Sequence, residues 1–300
     1  MSMAKRHKKA KQGLNKKLLY GVVLVTIVLL AVLVVYYLFF LPHTENWTAA
    51  IIDQVAIEGL HNQTFNITST SILNASGFKV RYYPAEGITV SFYKDLSSKG
   101  GKVIILRVHS SVRNESDFVD LFTSEPYNKP KELQYSAEYG LQLSVAEFFV
   151  YPYNKYFAVG PTFVDLSMRG RFDSSCVVVL MGCSSLEKTT MAEALVRKGA
   201  KVVIGWTRLV ELNDTDKSTL DLLHYLLAKD PYTIDGAVKK INNSSHPYGT
   251  KLDYYPKEAS NYKIPTRKNE MSLGLKKEPF QVVLLPTLVK WKCDGLIGFF

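Results

Sequence analysis

Two short runs dominated by valine, isoleucine and leucine each end at a side chain capable of chemistry. Val103–Val108 is followed by His109, and Val177–Gly182 is followed by Cys183. Short apolar runs of this kind are typical of strands that are covered on both faces in a parallel sheet, where reactive groups collect at the carboxyl ends of the strands. The sequence therefore predicts two strands that place an imidazole and a thiol in one crevice.

These two residue types suit nucleophilic catalysis. A cysteine is a strong nucleophile as the thiolate, and a nearby imidazole can take its proton and later deliver one to a leaving amine. General acid–base help of this kind is typically worth ~100- to 10,000-fold. The turn at Gly182 and Cys183, together with Ser110 after His109, is expected to supply the turn geometry and the backbone N–H donors for a tetrahedral oxyanion.

At these residues the chain resembles the caspase-like cysteine peptidases, which include caspases, gingipains, separase and CHAT domains. Members share a hydrophobic strand that ends in His and a next one that ends in Cys. The segment Met191–Trp206 is similar to the helix, Gly-Ala turn and Trp-ending strand that follow the cysteine in CHAT and gingipain-like proteins. The likeness covers residues 78–245, and the overall pattern also resembles archaeal membrane-anchored surface proteins.

The resemblance implies an α/β fold, a caspase-like three-layer α/β/α sandwich with a mostly parallel sheet. It implies a cysteine endopeptidase in which Cys183 is the nucleophile and His109 the general acid/base. The chain departs from the group by having Ser110 after the histidine, where many members have glycine, and Met181-Gly182 before the cysteine in place of Gln-Ala. The long separation of His109 from Cys183 implies an insertion at about 112–175.

Other interpretations of the same residues stay open. Cys183 could be inert in a catalytically inactive caspase-like binding or scaffolding module at the cell surface, or the same dyad could serve an amidase or transpeptidase. Cys176 and Cys183 bracket one strand, about 23 Å apart at ~3.3 Å per residue, too far for a disulfide. Either cysteine could instead pair with Cys293.

The resemblance also indicates where a substrate side chain would bind. In the group, the strand after the cysteine strand and its following loop help to form the primary pocket. Arg208 in that pocket would favour an acidic substrate residue, whereas Glu211 or Asp214 would favour a basic one. The alternative is that Asp214 and Asp216 are the capping and first-turn acids of a helix and that Trp206 is a core residue. The pocket candidates are therefore Trp206, Arg208, Glu211, Asp214 and Asp216.

The amino-terminal segment predicts membrane attachment. Residues 1–17 hold seven Lys or Arg and no acid, and Leu18–Leu41 is a stretch of 24 residues without charge. At about 1.5 Å per residue, such a helix reaches about 36 Å, enough for a hydrocarbon core of ~30 Å. The basic cluster predicts a cytosolic amino terminus and an extracytoplasmic main domain, with the lipid bilayer as a partner. A cleaved signal peptide is the alternative, but the stretch is too long and lacks a small-residue cleavage site.

Charge and composition exclude several functions. The chain carries a net charge of +10, but without residues 1–17 it holds 30 basic and 27 acidic residues. A near-neutral external part lacks the electrostatic footprint of a nucleic-acid binder. The resemblance to caspase-like peptidases implies a peptide or protein substrate as the partner. The sequence contains no His-Glu-X-X-His, Cys-X-X-Cys or phosphate-binding glycine loop, so neither a metal nor a cofactor is predicted.

Eight Asn-X-Ser/Thr sequons fit an external domain. Four of them lie between residues 46 and 74, which predicts a glycosylated stalk or linker at 42–77, ahead of a caspase-like domain at 78–300. The candidate sites are Asn46, Asn62, Asn66, Asn74, Asn114, Asn213, Asn242 and Asn243.

Periodicity predicts the remaining elements. Beyond the two runs described first, the predicted strands are Lys79–Tyr83, Val202–Trp206 and Gln281–Leu285. The predicted helices are Thr48–Leu60, Thr89–Leu96, Thr189–Arg197, Asp214–Ala228 and Thr233–Ile241. In the insertion, Phe118–Phe122 and Leu141–Phe149 are expected to be partly helical, Tyr156–Val159 and Thr162–Met168 to form a hairpin, and residues 246–279 to be a surface loop.

Overall fold

The computed structural model describes residues 16–40, 47–114, 116–147 and 154–267. The chain divides into two compact units, Met1–Glu45 and Asn46–Phe300. In the first unit, helix α1 spans Lys16–Phe40, and its side chains are described over residues 20–34, where they are exposed. Among the residues that the structure describes, no helix is long and apolar enough to cross a membrane. Most of the basic tail, 1–17, lies outside the described residues.

The second unit is built on a six-stranded sheet with the order β2-β1-β3-β8-β9-β10. Every neighbouring pair is parallel except β9 and β10, which run antiparallel at one edge. The strands are β1 (Thr48–Asp53), β2 (Lys79–Tyr83), β3 (Val103–Arg107), β8 (Val177–Leu180), β9 (Val202–Trp206) and β10 (Leu252–Tyr255). The prediction of an α/β fold with a mostly parallel sheet is confirmed.

Apolar cores cover both faces of this sheet, because successive side chains of a strand point to opposite faces. Ile51 and Ile105 face one core, which includes side chains of α2 (Gln63–Ala75), α7 (Leu212–Leu226) and α8 (Ile234–Asn242). The opposite core includes side chains of α3 (Val90–Lys94), α5 (Pro161–Leu166) and α6 (Thr190–Arg197). The central strands are therefore buried on both sides, as their uninterrupted apolar runs predict.

The insertion is mainly an antiparallel sheet. Its strands are β4 (Ser110–Val112), β5 (Val119–Pro126), β6 (Leu143–Glu147) and β7 (Lys155–Val159), in the order β4-β5-β7-β6, and α4 (Lys129–Gln134) follows β5. The predicted helical character of Phe118–Phe122 and Leu141–Phe149 is wrong for the described residues, because Val119–Phe122 lies in β5 and Leu143–Glu147 forms β6. The hairpin prediction is also wrong, since Thr162–Met168 contains the helix α5.

Part of the region predicted as a stalk, Thr48–Asp53, belongs to the sheet. The structure places β1 between β2 and β3, and it continues β1 with a 3-10 helix, Gln54–Glu58, where a helix over Thr48–Leu60 was expected. Helix α2 follows, and α2 and α7 line the same core. The four side chains of the apolar run Ala49–Ile52 are fully buried. This run was not predicted as a strand because it lies among sequons.

The carboxyl-terminal region also differs in part from its prediction. Residues 246–279 are expected to form a loop, but β10 lies within them and pairs with β9. Tyr254 is buried against the core, and the residues on either side of it in β10 are partly exposed. This alternation is typical of an edge strand. The strand predicted at Gln281–Leu285 lies outside the described residues.

Candidate active site

The ends of β3 and β8 bring the predicted histidine and cysteine to one cavity. Leu106 of β3 pairs with Leu180 of β8 in parallel register. His109 and Cys183 each follow three residues later, so both leave the sheet at the same edge. The two residues line one cavity of about 120 Å³.

The two described cysteines differ in their surroundings. Cys183 is a free, partly exposed thiol whose Sγ lies 3.5 Å from both the carbonyl oxygen and the amide nitrogen of Val210. Cys176 is also free but fully buried, and burial raises the pKa of its thiol well above the usual range. The predicted alternative partner, Cys293, lies outside the described residues. Of the two described thiols, only Cys183 is partly exposed.

The turn that carries Cys183 is tightly packed against the end of β3. A Cβ on Gly182 would lie under 3.0 Å from the carbonyl oxygen of Val108 and from Ser110, so this position needs glycine. The Ser110 hydroxyl donates a hydrogen bond of 2.7 Å to the carbonyl oxygen of Cys183. Ser184 has a positive φ of 52°, a conformation uncommon outside glycine. The contacts of Ser110 therefore join the two strand ends directly.

Backbone donors lie on the same turn. The Ser184 amide donates a hydrogen bond of 2.9 Å to the carbonyl oxygen of Arg208, which follows β9. Within the described residues, the N–H groups of Gly182 and Cys183 donate to no other group. These two amides are the available hydrogen-bond donors beside the thiol.

His109 has a carboxylate partner that sequence reasoning missed. Its Nε2 lies 2.7 Å from Oε1 of Glu58. Its backbone amide donates a hydrogen bond of 3.0 Å to the side-chain oxygen of Gln54. Both partners lie on the 3-10 helix after β1, which ends where Gly59 takes a positive φ of 76°. If β1 had been predicted as a strand beside β3, Glu58 would have been expected at the sheet edge where His109 lies. The apolar run Ala49–Ile52 was the signal for that strand.

A buried ionic cluster lies beside the cavity. The guanidinium of Arg107 binds both carboxylate oxygens of Asp216 at 2.7 and 2.9 Å, and its Nη1 binds Asp53 at 2.7 Å. Burial alone would lower the pKa of Arg107, but the hydrogen bonds and charges of the two carboxylates raise it. The cluster ties the end of β1 to the end of β3 and to α7.

Outer hydrogen bonds complete the cluster. Tyr82 donates 3.0 Å to the second oxygen of Asp53, and burial and this carboxylate raise the pKa of Tyr82. Asn62 caps α2 through its side-chain oxygen, and its side-chain nitrogen donates 2.9 Å to Asp216. All four oxygens of the two buried carboxylates therefore accept at least one hydrogen bond.

The five pocket candidates do not share one cavity. Trp206 is a core residue whose indole donates 2.8 Å to Thr215, as the alternative prediction states. Arg208 is exposed and lines a second cavity, of about 440 Å³, together with Ser184. Both carboxylate oxygens of Asp216 accept hydrogen bonds from Arg107. The primary-pocket role predicted for these residues gains no support from their positions.

The two remaining candidates lie at the start of α7. Glu211 is exposed at the N-cap position but makes no capping hydrogen bond through its side chain. Asp214 lies in the first turn and not at the N-cap, where the alternative placed it, and its carboxylate is 2.9 Å from Nδ1 of His246. Neither residue lines the cavity that holds the dyad.

The sequons fall into three groups. Asn62 and Asn242 have engaged side chains, since Asn62 binds Asp216 and Asn242 makes two hydrogen bonds to Leu252 of β10. Asn66 is partly buried on α2 and Asn46 lies outside the described residues. The exposed sequon residues are Asn74, Asn114, Asn213 and Asn243.

No protein-family model matches this chain, and no curated protein matches it. Within the described residues there is no group of three or more His, Cys, Asp and Glu side chains that could hold a metal ion. The chemically capable groups at the site include the thiol, the imidazole, the carboxylate of Glu58 and the backbone amides.

Proposed function

We propose that this protein is a membrane-anchored, extracytoplasmic cysteine endopeptidase of the caspase-like group. The observation that carries the proposal is the shared cavity of His109 and Cys183, each three residues beyond the paired ends of adjacent parallel strands. The partly exposed free thiol of Cys183 and the carboxylate of Glu58 beside the imidazole support it.

The proposed reaction uses these residues in order. His109 takes the proton of Cys183, and the sulfur attacks the carbonyl carbon of a peptide bond to form a C–S bond. The oxyanion accepts hydrogen bonds from the N–H groups of Gly182 and Cys183. When the C–N bond breaks, His109 returns the proton to the leaving amine, and water then hydrolyses the thioester and regenerates the thiol.

Glu58 takes the role of a positioning residue in this scheme. A carboxylate that binds one ring nitrogen fixes the orientation of the imidazole and stabilises the imidazolium that forms during proton transfer.

Membrane attachment is proposed on sequence grounds. The uncharged stretch 18–41 and the basic cluster before it favour a single-pass anchor with a cytosolic amino terminus. The exposed sequon residues Asn74, Asn114, Asn213 and Asn243 are compatible with an external domain.

Labelling with a peptidyl acyloxymethyl ketone tests the peptidase proposal. An activated thiolate displaces the carboxylate leaving group of this probe and forms a thioether that mass spectrometry can locate. The full chain in detergent should be labelled at Cys183, and both Cys183→Ala and His109→Ala should lose labelling by at least about 100-fold. The control Cys176→Ala changes a buried thiol and should keep the labelling.

Two results would contradict the proposal. A folded wild-type chain that no probe labels would leave the inactive binding module as the better description. Equal labelling of wild type and His109→Ala would show that the imidazole does not activate the thiol.

A further inference from the structure

The cavity beside the dyad has apolar walls. Three connections supply these walls: the segment after β1, the end of β8 and the segment after β9. The wall side chains used here are Val55, Leu60, Met181, Val210 and Leu212. Because Cys183 and Gly182 form part of the same lining, a substrate whose carbonyl meets the thiol would direct its adjacent side chain into this space.

The polar side chains of the lining, apart from those of His109 and Cys183, already have partners. Arg107 uses four of its five N–H donors on Asp216, Asp53 and the carbonyl oxygen of Leu60. The hydroxyl of Thr215 donates 3.0 Å to the carbonyl oxygen of Met181 and accepts from Trp206. A charged substrate side chain would therefore lose its hydration without gaining an ionic partner, which is costly.

The volume favours a side chain of limited size. A cavity of about 150 Å³ lined by aliphatic and aromatic residues accepts benzene. The cavity here measures about 120 Å³, so we expect an aliphatic side chain to fit it better than a phenyl ring.

We propose that the peptidase cleaves after small and medium aliphatic residues, with this cavity as the primary specificity pocket. The inference rests on the proposed function and names its substrate class. The formal charge of the Arg107, Asp53 and Asp216 cluster is −1, but both carboxylates are buried and neither lines the cavity. Their oxygens accept hydrogen bonds from Arg107, Tyr82 and Asn62 instead.

A set of acyloxymethyl ketone probes that differ only in the side chain next to the ketone tests this specificity. The side chains are those of alanine, valine, leucine, phenylalanine, aspartate and arginine, and the protein is the full chain in detergent. The valine and leucine probes should label Cys183 at least about tenfold faster than the phenylalanine, aspartate and arginine probes. This ranking uses the wild-type protein, so it does not depend on any variant folding.

Two substitutions at one wall residue should move the size limit in opposite directions. Leu212→Phe narrows the cavity and should slow the leucine probe at least about tenfold more than the alanine probe. Leu212→Ala widens the cavity and should raise the rate of the phenylalanine probe relative to the leucine probe. The matched control Leu166→Phe alters a side chain that is 68% exposed on α5 and should preserve the wild-type ranking.

The outcomes separate the specificity from the peptidase activity. Fastest labelling by the arginine or aspartate probe would overturn the aliphatic specificity while the peptidase proposal stands. Labelling of Cys183 by no probe would overturn the proposed function and this inference with it. Leu212 variants that fold and keep the wild-type ranking would show that the cavity is not the specificity pocket.

Discussion

Glu58 is the single side chain whose removal best tests the arrangement of the dyad. Replacing it with alanine removes the oxygen that lies 2.7 Å from Nε2 of His109, whereas Glu58→Gln keeps an oxygen acceptor without the charge. We expect kcat to fall at least about tenfold in Glu58→Ala and less in Glu58→Gln, with KM nearly unchanged in both. Steady-state kinetics on a peptide with leucine before the cleaved bond measures this.

The matched control is Glu147→Ala, which removes a surface carboxylate whose partner is Lys155. A role of Glu58 in stability alone would appear as a lower midpoint of unfolding with kcat preserved. Equal kcat values for wild type and Glu58→Ala would exclude Glu58 as the positioning residue.

The sequence predicted that His109 and Cys183 lie in one crevice, but it did not predict their partners. His109 and Cys183 were predictable because each follows an apolar run that only a buried strand explains, and adjacent parallel strands end at one edge. Glu58 and Gln54 were missed because they reach the site through β1, a strand whose four apolar residues lie among sequons. A contact such as that between Glu58 and His109 depends on which strands are neighbours in the sheet. The local sequence pattern does not determine the order of the strands.

Among the strands and helices, the cluster of Arg107, Asp53 and Asp216 joins β3, β1 and α7. Arg107→Leu would leave two carboxylates buried without their cation, and removing one partner of a buried pair typically costs about 3–5 kcal/mol. We expect the free energy of unfolding of the full chain to fall by that amount in urea titrations. Arg169→Leu removes an arginine from an exposed pair with Asp95 and should cost less than about 1 kcal/mol.

One result would contradict the expected loss of unfolding free energy in Arg107→Leu. If Arg107→Leu and Arg169→Leu destabilise the protein equally, the buried cluster does not hold β1, β3 and α7 together. The position of Glu58 relative to His109 would then have another cause.

At the opposite ends of the same strands, Asp173 links β8 to β3. Burial alone would raise the pKa of Asp173, but hydrogen bonds from Ser175 and the charge of Lys102 lower it overall. A lowered folded-state pKa contributes stability above the unfolded value of about 3.9, and this stability is lost as the pH falls through the folded value. Asp173→Asn should therefore cost about 1 kcal/mol at pH 7 and much less at pH 3.

Urea titrations of both proteins across this pH range measure the difference. The control Asp117→Asn changes a carboxylate that is 72% exposed and should cost little at either pH. A cost for Asp173→Asn that stays constant from pH 7 to pH 3 would contradict the assignment of the stabilisation to the ionised carboxylate.

The elements that the sequence predicted are those with strong, local periodicity. β2, β9, α6, α7 and α8 appear close to their predicted bounds. The three helices each bury a regular apolar face, and β9 is buried throughout. The insertion was misassigned because its aromatic residues alternate over short strands whose pairing partners are distant in sequence, such as β5 with β7. Strand pairing over that distance is a property of the folded sheet.

For the molecule as a whole, the proposed anchor makes a prediction that is independent of the active site. Val25, Leu29 and Leu33 lie within the uncharged stretch, and their side chains are 58–60% exposed. A lysine at the centre of a membrane helix costs roughly 3 kcal/mol, so Val25→Lys, Leu29→Lys and Leu33→Lys together should prevent stable insertion. The control combines isoleucine at the same three positions, which keeps the stretch apolar.

Membrane fractionation of the full chain measures insertion as the fraction that resists alkaline extraction. We expect the wild type and the isoleucine variant to stay with the membrane and the lysine variant to be extracted. Extraction of the wild type would contradict the anchor and leave the specificity of the peptidase unaffected. Retention of the lysine variant would mean that another part of the chain binds the membrane, because three charges on one helix outweigh the apolar residues that remain between them.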